Sequence, residues 1–160
     1  MLVANPTQEQ WAELKEKCID GHDNLEHLMR YGYAGMRISG DALYNGMRDP
    51  RNPAKMWLIE ADGHIVGFMN FGQVVPGQAD AVGICIGLPY VRRGYARRSM
   101  LEFSEWCRKN GIREFHGYCN RNNKGSVGLM ENLGMLKQPE FRDHADPDAV
   151  KYFWRVEAKG

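Results

Sequence analysis

A nearly uninterrupted apolar run, Ala81 to Leu88 (AVGICIGL), leads through PYVRRG into a segment whose apolar residues recur at helical spacing. That succession constrains the fold more than any other part of the chain. A strand almost without polar residues belongs inside a sheet with both faces covered. Ala96, Met100, Phe103 and Cys107 then fall at i, i+4, i+7 and i+11, an amphipathic helix ended by Asn110-Gly111. Strand, glycine-ended loop and helix together make a phosphate-binding arrangement. The first N–H groups of a helix lack internal partners, and the helix dipole favours negative charge at that end. Gly94 removes the side chain where the backbone would approach an anion, and Ala96 keeps the next turn slim. Arg92, Arg93 and Arg97 can add charge-assisted hydrogen bonds. Arg98, one position further around the helix, is left to water.

The remaining elements set this unit in a mixed α/β domain. KMWLIEA and HIVGFMNFG flank Asp62-Gly63, a dipeptide that tolerates the positive φ angles of a tight hairpin turn. Before the hairpin, Asn5 or Thr7 can cap a helix, with Gln8 or Gln10 closing a capping box. Trp11, Leu14, Cys18 and Ile19 follow at helical spacing as far as Gly21. A second helix spans Asn24 to about Tyr31, glycines punctuate the stretch to Asp41, and Asp41 to Lys55 reads as a loop or short helix. Beyond the arginine loop and its helix, REFHGYC is a strand with Phe115, Gly117 and Cys119 on one face. Asn123 to Leu133 reads as a short helix ended at Gly134, and VKYFWRVEA closes the chain as a strand. No repeat or linker divides residues 1–160, so one domain is expected.

Charge is balanced overall and uneven locally. The net charge is +1, yet Asp80 to Lys137 holds ten Lys/Arg against five Asp/Glu, leaving eleven against fifteen elsewhere. A local +5 inside a −4 remainder points to an anion site. A dedicated nucleic-acid binder would carry a strongly basic balance, so that function is disfavoured. Cys18, Cys85, Cys107 and Cys119 show no paired spacing, and no segment has the length of a membrane span; a reduced, soluble, cytoplasmic protein is expected.

Two motifs give the chain a resemblance to the GNAT superfamily of N-acetyltransferases. The family's [Q/R]xxG-x-[G/A] loop, directly after a buried strand, stands here as Val91-Arg92-Arg93-Gly94-Tyr95-Ala96, with Val91 replacing the polar first residue. Its downstream N-x-x-[A/S]-x-x-L-Y-E-[K/N]-x-G-[F/M] pattern reads Asn123 to Met135 without a gap, including Ser126, Leu129 and Glu131. The likeness covers roughly Met56 to Trp154. It implies a largely antiparallel central sheet with a splayed parallel pair of strands and helices on both faces. Residues 56–160 would form the cofactor-binding core, and residues 1–55 the variable helices on the acceptor side.

The resemblance further implies acetyl-CoA as co-substrate and an amine as acceptor. The loop from Val91 to Arg97 would hold the pyrophosphate, mostly through main-chain N–H groups. Main-chain N–H groups around Ile86 and Leu88 would meet the thioester oxygen and pantetheine arm, with Asn123 and Ser126 following downstream. An unperturbed lysine-type amine has a pKa of about 10.4 and needs a base to shed its proton near neutrality. The family's glutamate register falls on Asp80, with Glu60 as a weaker alternative. The family's tyrosine acid falls on Met130, and a thioether donates no proton. That replacement motivates a second reading, a silent acyl-CoA-binding module; nucleic-acid binding through Arg92, Arg93, Arg97 and Arg98 is a third.

Other features read as structural. His116 and Cys119 point to opposite faces of a strand, so no metal site is expected there. Trp57, Trp106 and Trp154 fit a core. Asp20, Asp23 and Glu26 would favour a cationic acceptor if the first helices line its mouth. The acceptor's identity stays open, as does a homodimer.

Overall fold

The capping alternatives resolve at Thr7. Its Oγ1 accepts from the Gln10 N–H at 3.2 Å, and Gln10 Oε1 accepts from the Thr7 N–H at 2.9 Å. The computed structural model describes residues 1–31, 39–72, 76–143 and 147–156, except the side chains of residues 30, 31 and 81. Most of the glycine-punctuated stretch from Tyr31 to Asp41 and the end of the closing strand lie outside the described residues. From Thr7, α1 (Gln8–Leu14) continues into a π-helical turn, Lys15–Ile19, where the Asp20 N–H donates to the Lys15 carbonyl at 2.8 Å. This widening keeps Leu14, Cys18 and Ile19 all buried.

After α2 (His22–Tyr31) comes a third helix, α3 (Gly40–Arg48), in the stretch expected to be a loop or short helix. Ser39 caps it, its Oγ accepting from the Ala42 N–H at 3.1 Å, and Leu43, Tyr44 and Met47 bury one side. An i, i+1, i+4 triplet is one helical face, too short to show as a period in sequence.

The sheet is built on the Asp62-Gly63 hairpin between β2 (Lys55–Ala61) and β3 (His64–Gly72), whose turn residues have φ of 52° and 79°. β4 (Gln78–Ile86), β5 (Glu114–Asn120) and β7 (Ala149–Arg155) follow, with two short edge strands, β1 (Leu2–Val3) and β6 (Leu136–Lys137). The order is β1-β2-β3-β4-β5-β7-β6, antiparallel throughout except for β4 with β5. Two-residue strands carry no alternation, which is why neither edge strand was expected from the sequence.

Two helices, α4 (Tyr95–Lys109) and α5 (Lys124–Asn132), lie on one face of the sheet; α1, α2 and α3 lie on the other. Under α4 and α5, Phe71, Phe103, Phe115 and Tyr152 are at most 2 % exposed and form one aromatic-rich core. Trp57, Trp106 and Trp154 join it, Trp154 stacked on Phe115 at 5.7 Å. The opposite core packs Leu14, Cys18, Leu28, Leu43 and Tyr44 against Leu58 and Phe68.

β4 departs from a regular strand at the point that matters most. Asn70 pairs with Gly83 and Gly72 with Asp80, while on the other side Ala79 pairs with Phe115 and Val82 with Gly117. Against both neighbours β4 therefore holds one extra residue, a β-bulge. The bulge returns Val82 to the face of Ala79, so both are buried in the same core although three residues apart.

Candidate active site

Pairing between β4 and β5 stops at Val82 and Gly117, and beyond that point the two strands part. Residues 83–86 of β4 are only half-buried, where their apolar sequence led to the expectation of full burial. The reason is the gap itself, which leaves one long edge of these residues without a strand beside it. The Gly87 N–H donates back to the Val66 carbonyl of β3 at 2.8 Å. Strand alternation therefore turns the Ile86 N–H and carbonyl toward the gap. His27, from α2, reaches across to the Ile86 carbonyl with Nε2 at 3.0 Å. Since a carbonyl only accepts, Nε2 carries the proton there. The π-helical turn presses from the same side: a Cβ on Gly87 would overlap Cys18 Sγ.

At the outer end of β4, Leu88–Tyr90 makes one 3-10 turn and the loop Val91 to Gly94 delivers the chain to α4. Arg92 and Gly94 both lie in the left-handed region, with φ of 64° and 80°. Chain neighbours apart, no atom of the described residues lies within 4 Å of where a Cβ on Gly94 would sit, so glycine is favoured there by conformation rather than by space. The helix ladder begins with the Arg98 N–H donating to the Gly94 carbonyl at 3.1 Å. The N–H groups of Tyr95, Ala96 and Arg97 thus point out of the helix start.

The arginines divide. Arg93 Nη2 donates to the Pro89 carbonyl at 3.3 Å and its guanidinium lies 5.9 Å from the Tyr90 ring centre. Arg98 lies 4.9 Å from the Tyr95 ring centre, packed on its own helix. Arg92 and Arg97 are exposed and make no ion pair or hydrogen bond among the described residues. Tyr95 is 5 % exposed and its hydroxyl donates to Asp62 Oδ2 at 2.8 Å. Its side chain therefore ties the loop to the β2–β3 turn and leaves its main chain at the start of α4. Leu88 is exposed and Val91 half-buried.

The base candidates separate as clearly. Asp80 lies at the bulge, on the face away from α4, and its Oδ1 accepts from the Tyr118 hydroxyl at 3.1 Å. Glu60 stands two strands away on β2, exposed, with the Gln10 amide at 3.4 Å. Tyr118 is the residue that strand reading missed. Alternation places it opposite Phe115, Gly117 and Cys119, but its reach to Asp80 depends on a parallel pairing that sequence does not reveal. Burial first, then the Asp80 charge, push the Tyr118 hydroxyl up to about 12. Phe141 packs against its ring at 5.3 Å, and Lys151 Nζ lies 5.5 Å from the ring centre.

Asn123 and Ser126 meet each other. Asn123 caps α5, its Oδ1 accepting from the Ser126 N–H at 3.2 Å. Met130 is 5 % exposed and its methyl end would lie 3.3 Å from a Cβ on Gly117. It fills core beneath β5. His116 and Cys119 point to opposite faces as expected; His22, Asp23 and Glu26 gather on the exposed start of α2, and Lys15 holds Asp20 at 2.9 Å. No helix among the described residues is long and apolar enough to cross a membrane.

A bulged central strand parting from a parallel neighbour, with a helix N-terminus at the mouth of the gap, makes a cleft with unpaired main-chain N–H groups at its opening. Residues 9–136 match the model of the acetyltransferase (GNAT) domain, and the chain belongs to that family. The match begins within α1, well before the motif-bearing half. No curated protein matches the sequence. Among solved structures, a GCN5-related N-acetyltransferase from Brucella melitensis superposes with a TM-score of 0.77 at 17 % identity, over 97 % of this chain and 75 % of the other. A spermidine N-acetyltransferase from Vibrio cholerae, solved with CoA and spermine, gives 0.70 at 15 % identity, over 98 % and 95 %. An acetyl transferase from Salmonella typhimurium that modifies the N-terminal serine of ribosomal protein L7/L12 gives 0.73 at 18 % identity, over 98 % and 94 %. At these identities the likeness establishes the fold.

Proposed function

We propose that this chain transfers an acetyl group from acetyl-CoA to a primary amine by direct attack on the thioester. The observation that carries the reading is the gap beyond Val82 and Gly117, with main-chain N–H groups at its mouth and the Asp80–Tyr118 pair beside it. The residues present fit the co-substrate. Arg92, Arg97 and the N–H groups of Tyr95 to Arg97 would hold the pyrophosphate, and the Ile86 N–H would face the thioester oxygen. Asp80 would take the amine proton, directly or through water. The Vibrio and Salmonella relatives act on different amines, which supports the acceptor class and leaves its member open. Four free cysteines support a reducing compartment.

Met130, unable to protonate a thiolate, favours the second reading, an acyl-CoA-binding module without turnover. One experiment separates the two. Acetyl-CoA is titrated by calorimetry, then thiol release is followed across a panel of polyamines, amino acids and peptides. Binding with turnover that falls at least ~100-fold in Asp80→Asn is expected for the enzyme. Binding with no turnover on any amine leaves the module; no heat at high micromolar acetyl-CoA refutes both.

A further inference from the structure

We propose that Tyr118 is the proton donor of this site, working in series with Asp80 in the role that Met130 leaves open; this rests on the acetyltransfer reading above. Three observations place it. Tyr118 is the first β5 residue beyond the last β4–β5 pair, where the strands part. Its hydroxyl already donates to Asp80 Oδ1 at 3.1 Å, so base and donor are joined by one hydrogen bond. On the other face the alternatives are committed: Met130 is packed under Gly117, and the Tyr152 hydroxyl donates to Glu131 at 3.2 Å.

The proton path balances. The neutral amine nitrogen bonds to the acyl carbon as the carbon–sulfur bond breaks, and the nitrogen's proton goes to Asp80. Tyr118 gives its phenolic proton to the departing sulfur. The proton on Asp80 then crosses the existing hydrogen bond to the phenolate, restoring both groups. One proton has moved from nitrogen to sulfur, with no oxidant or reductant. Asp80 also times the transfer. Its charge helps hold the Tyr118 proton in the resting site, together with Asp143, and neutralising Asp80 removes that hold when a donor is needed. Lys151, over the same ring, supplies the facing positive charge.

The test uses the intact protein. In the ligand-free chain labelled with ¹³Cζ-tyrosine, the resonance lost in Tyr118→Phe is titrated by NMR, and in Asp80→Asn it should ionise at lower pH than in the parent. In turnover, Tyr118→Phe should lower kcat about 100-fold while the acetyl-CoA Kd from calorimetry holds within about twofold. Replacing Tyr118 with 3-fluorotyrosine, which keeps the shape and acidifies the ring, should restore turnover and move the alkaline limb of the pH profile down. A Tyr118→Phe kcat within about threefold of the parent, or a Tyr118 titration indifferent to Asp80→Asn, overturns the assignment while leaving acetyltransfer standing. A parent that binds acetyl-CoA and acetylates no amine overturns both.

Discussion

The two halves of the sheet are finished differently. From β1 to β4 the strands lie between helices on both sides, and Leu58, Ile59, Phe68, Met69 and Phe71 are at most 2 % exposed whichever way they point. Past the gap, β5 and β7 bury Phe115, Gly117, Val150 and Tyr152 under α5, while Glu114, His116, Tyr118, Lys151 and Phe153 on the reverse face are all half-buried. Within that half β2 and β3 can be apolar on both faces because the groups assigned to the co-substrate and acceptor stand on β4, at its bulge and along its open edge. The second keeps a polar, aromatic face at the one place where the sheet opens. His116 Nδ1 is buried there with no hydrogen-bond partner among the described residues.

The strongest way to break this comparison uses neighbours on one strand. Phe115 and Tyr118 stand on opposite faces of β5, one fully buried among Phe103 and Trp154, the other half-buried at Asp80. Phe115→Ala should destabilise the fold by about 3–5 kcal/mol, read from urea unfolding, because a buried aromatic leaves a cavity that its neighbours fill only in part. Tyr118→Phe should shift the same unfolding curve far less. Equal shifts would mean that the reverse face is core after all.

A smaller effect is expected at the mouth of the gap. Gly94→Ala places a Cβ at φ +80° in open space, so strain alone opposes it, about 1–2 kcal/mol. If the loop relaxes to escape that strain, acetyl-CoA affinity should fall about tenfold, as 1.4 kcal/mol corresponds to a factor of ten. Arg92→Ala and Arg97→Ala should each weaken binding about threefold and reduce its salt dependence, whereas Arg98→Ala, removing a guanidinium that lies on Tyr95, should not. A larger loss at Arg98 than at Arg97 would show that the loop presents its charges to the ligand in another order.

Much of this was legible in the sequence, and what was not has a common cause. The Asp62-Gly63 turn, the α4 stripe ending at Asn110 and the β4–loop–α4 unit follow from local rules of turn conformation and period, whereas capping rules alone left Asn5 and Thr7 both open. Asp80 was reached only through the resemblance, as the position on which the family's glutamate falls. The bulge that turns Asp80 away from the core and the parallel pairing beside it match β4 to residues 35 to 36 positions further on, Tyr118 meets Asp80 across 38 positions, and His27 meets Ile86 across 59. No local pattern encodes such meetings. Tyr95 adds a further such meeting: its ring lies inward and its hydroxyl reaches Asp62, 33 positions away, which leaves its main chain at the start of α4.

The least effect, and the finest test of the covered half, comes from its thiols. Burial pushes Cys107 from 9.0 up to about 12, and burial with the Glu13 charge does the same for Cys18. Both thiols are 0 % exposed. An acid whose folded pKa is raised keeps its proton in the native state after the unfolded chain has released it. Between pH 9 and about 12 the native state therefore binds more protons, and stability must fall as pH rises, having been fully present below 9. Urea midpoints should be level from pH 7 to 8 and decline from about pH 9 upward. Cys107→Ala, with a lower midpoint throughout because of its cavity, should show a shallower decline. A Cys107→Ala slope as steep as the parent's would assign the alkaline loss to groups outside the α4 core, and the buried tyrosines, above all Tyr152 beneath α5, would be the next to titrate.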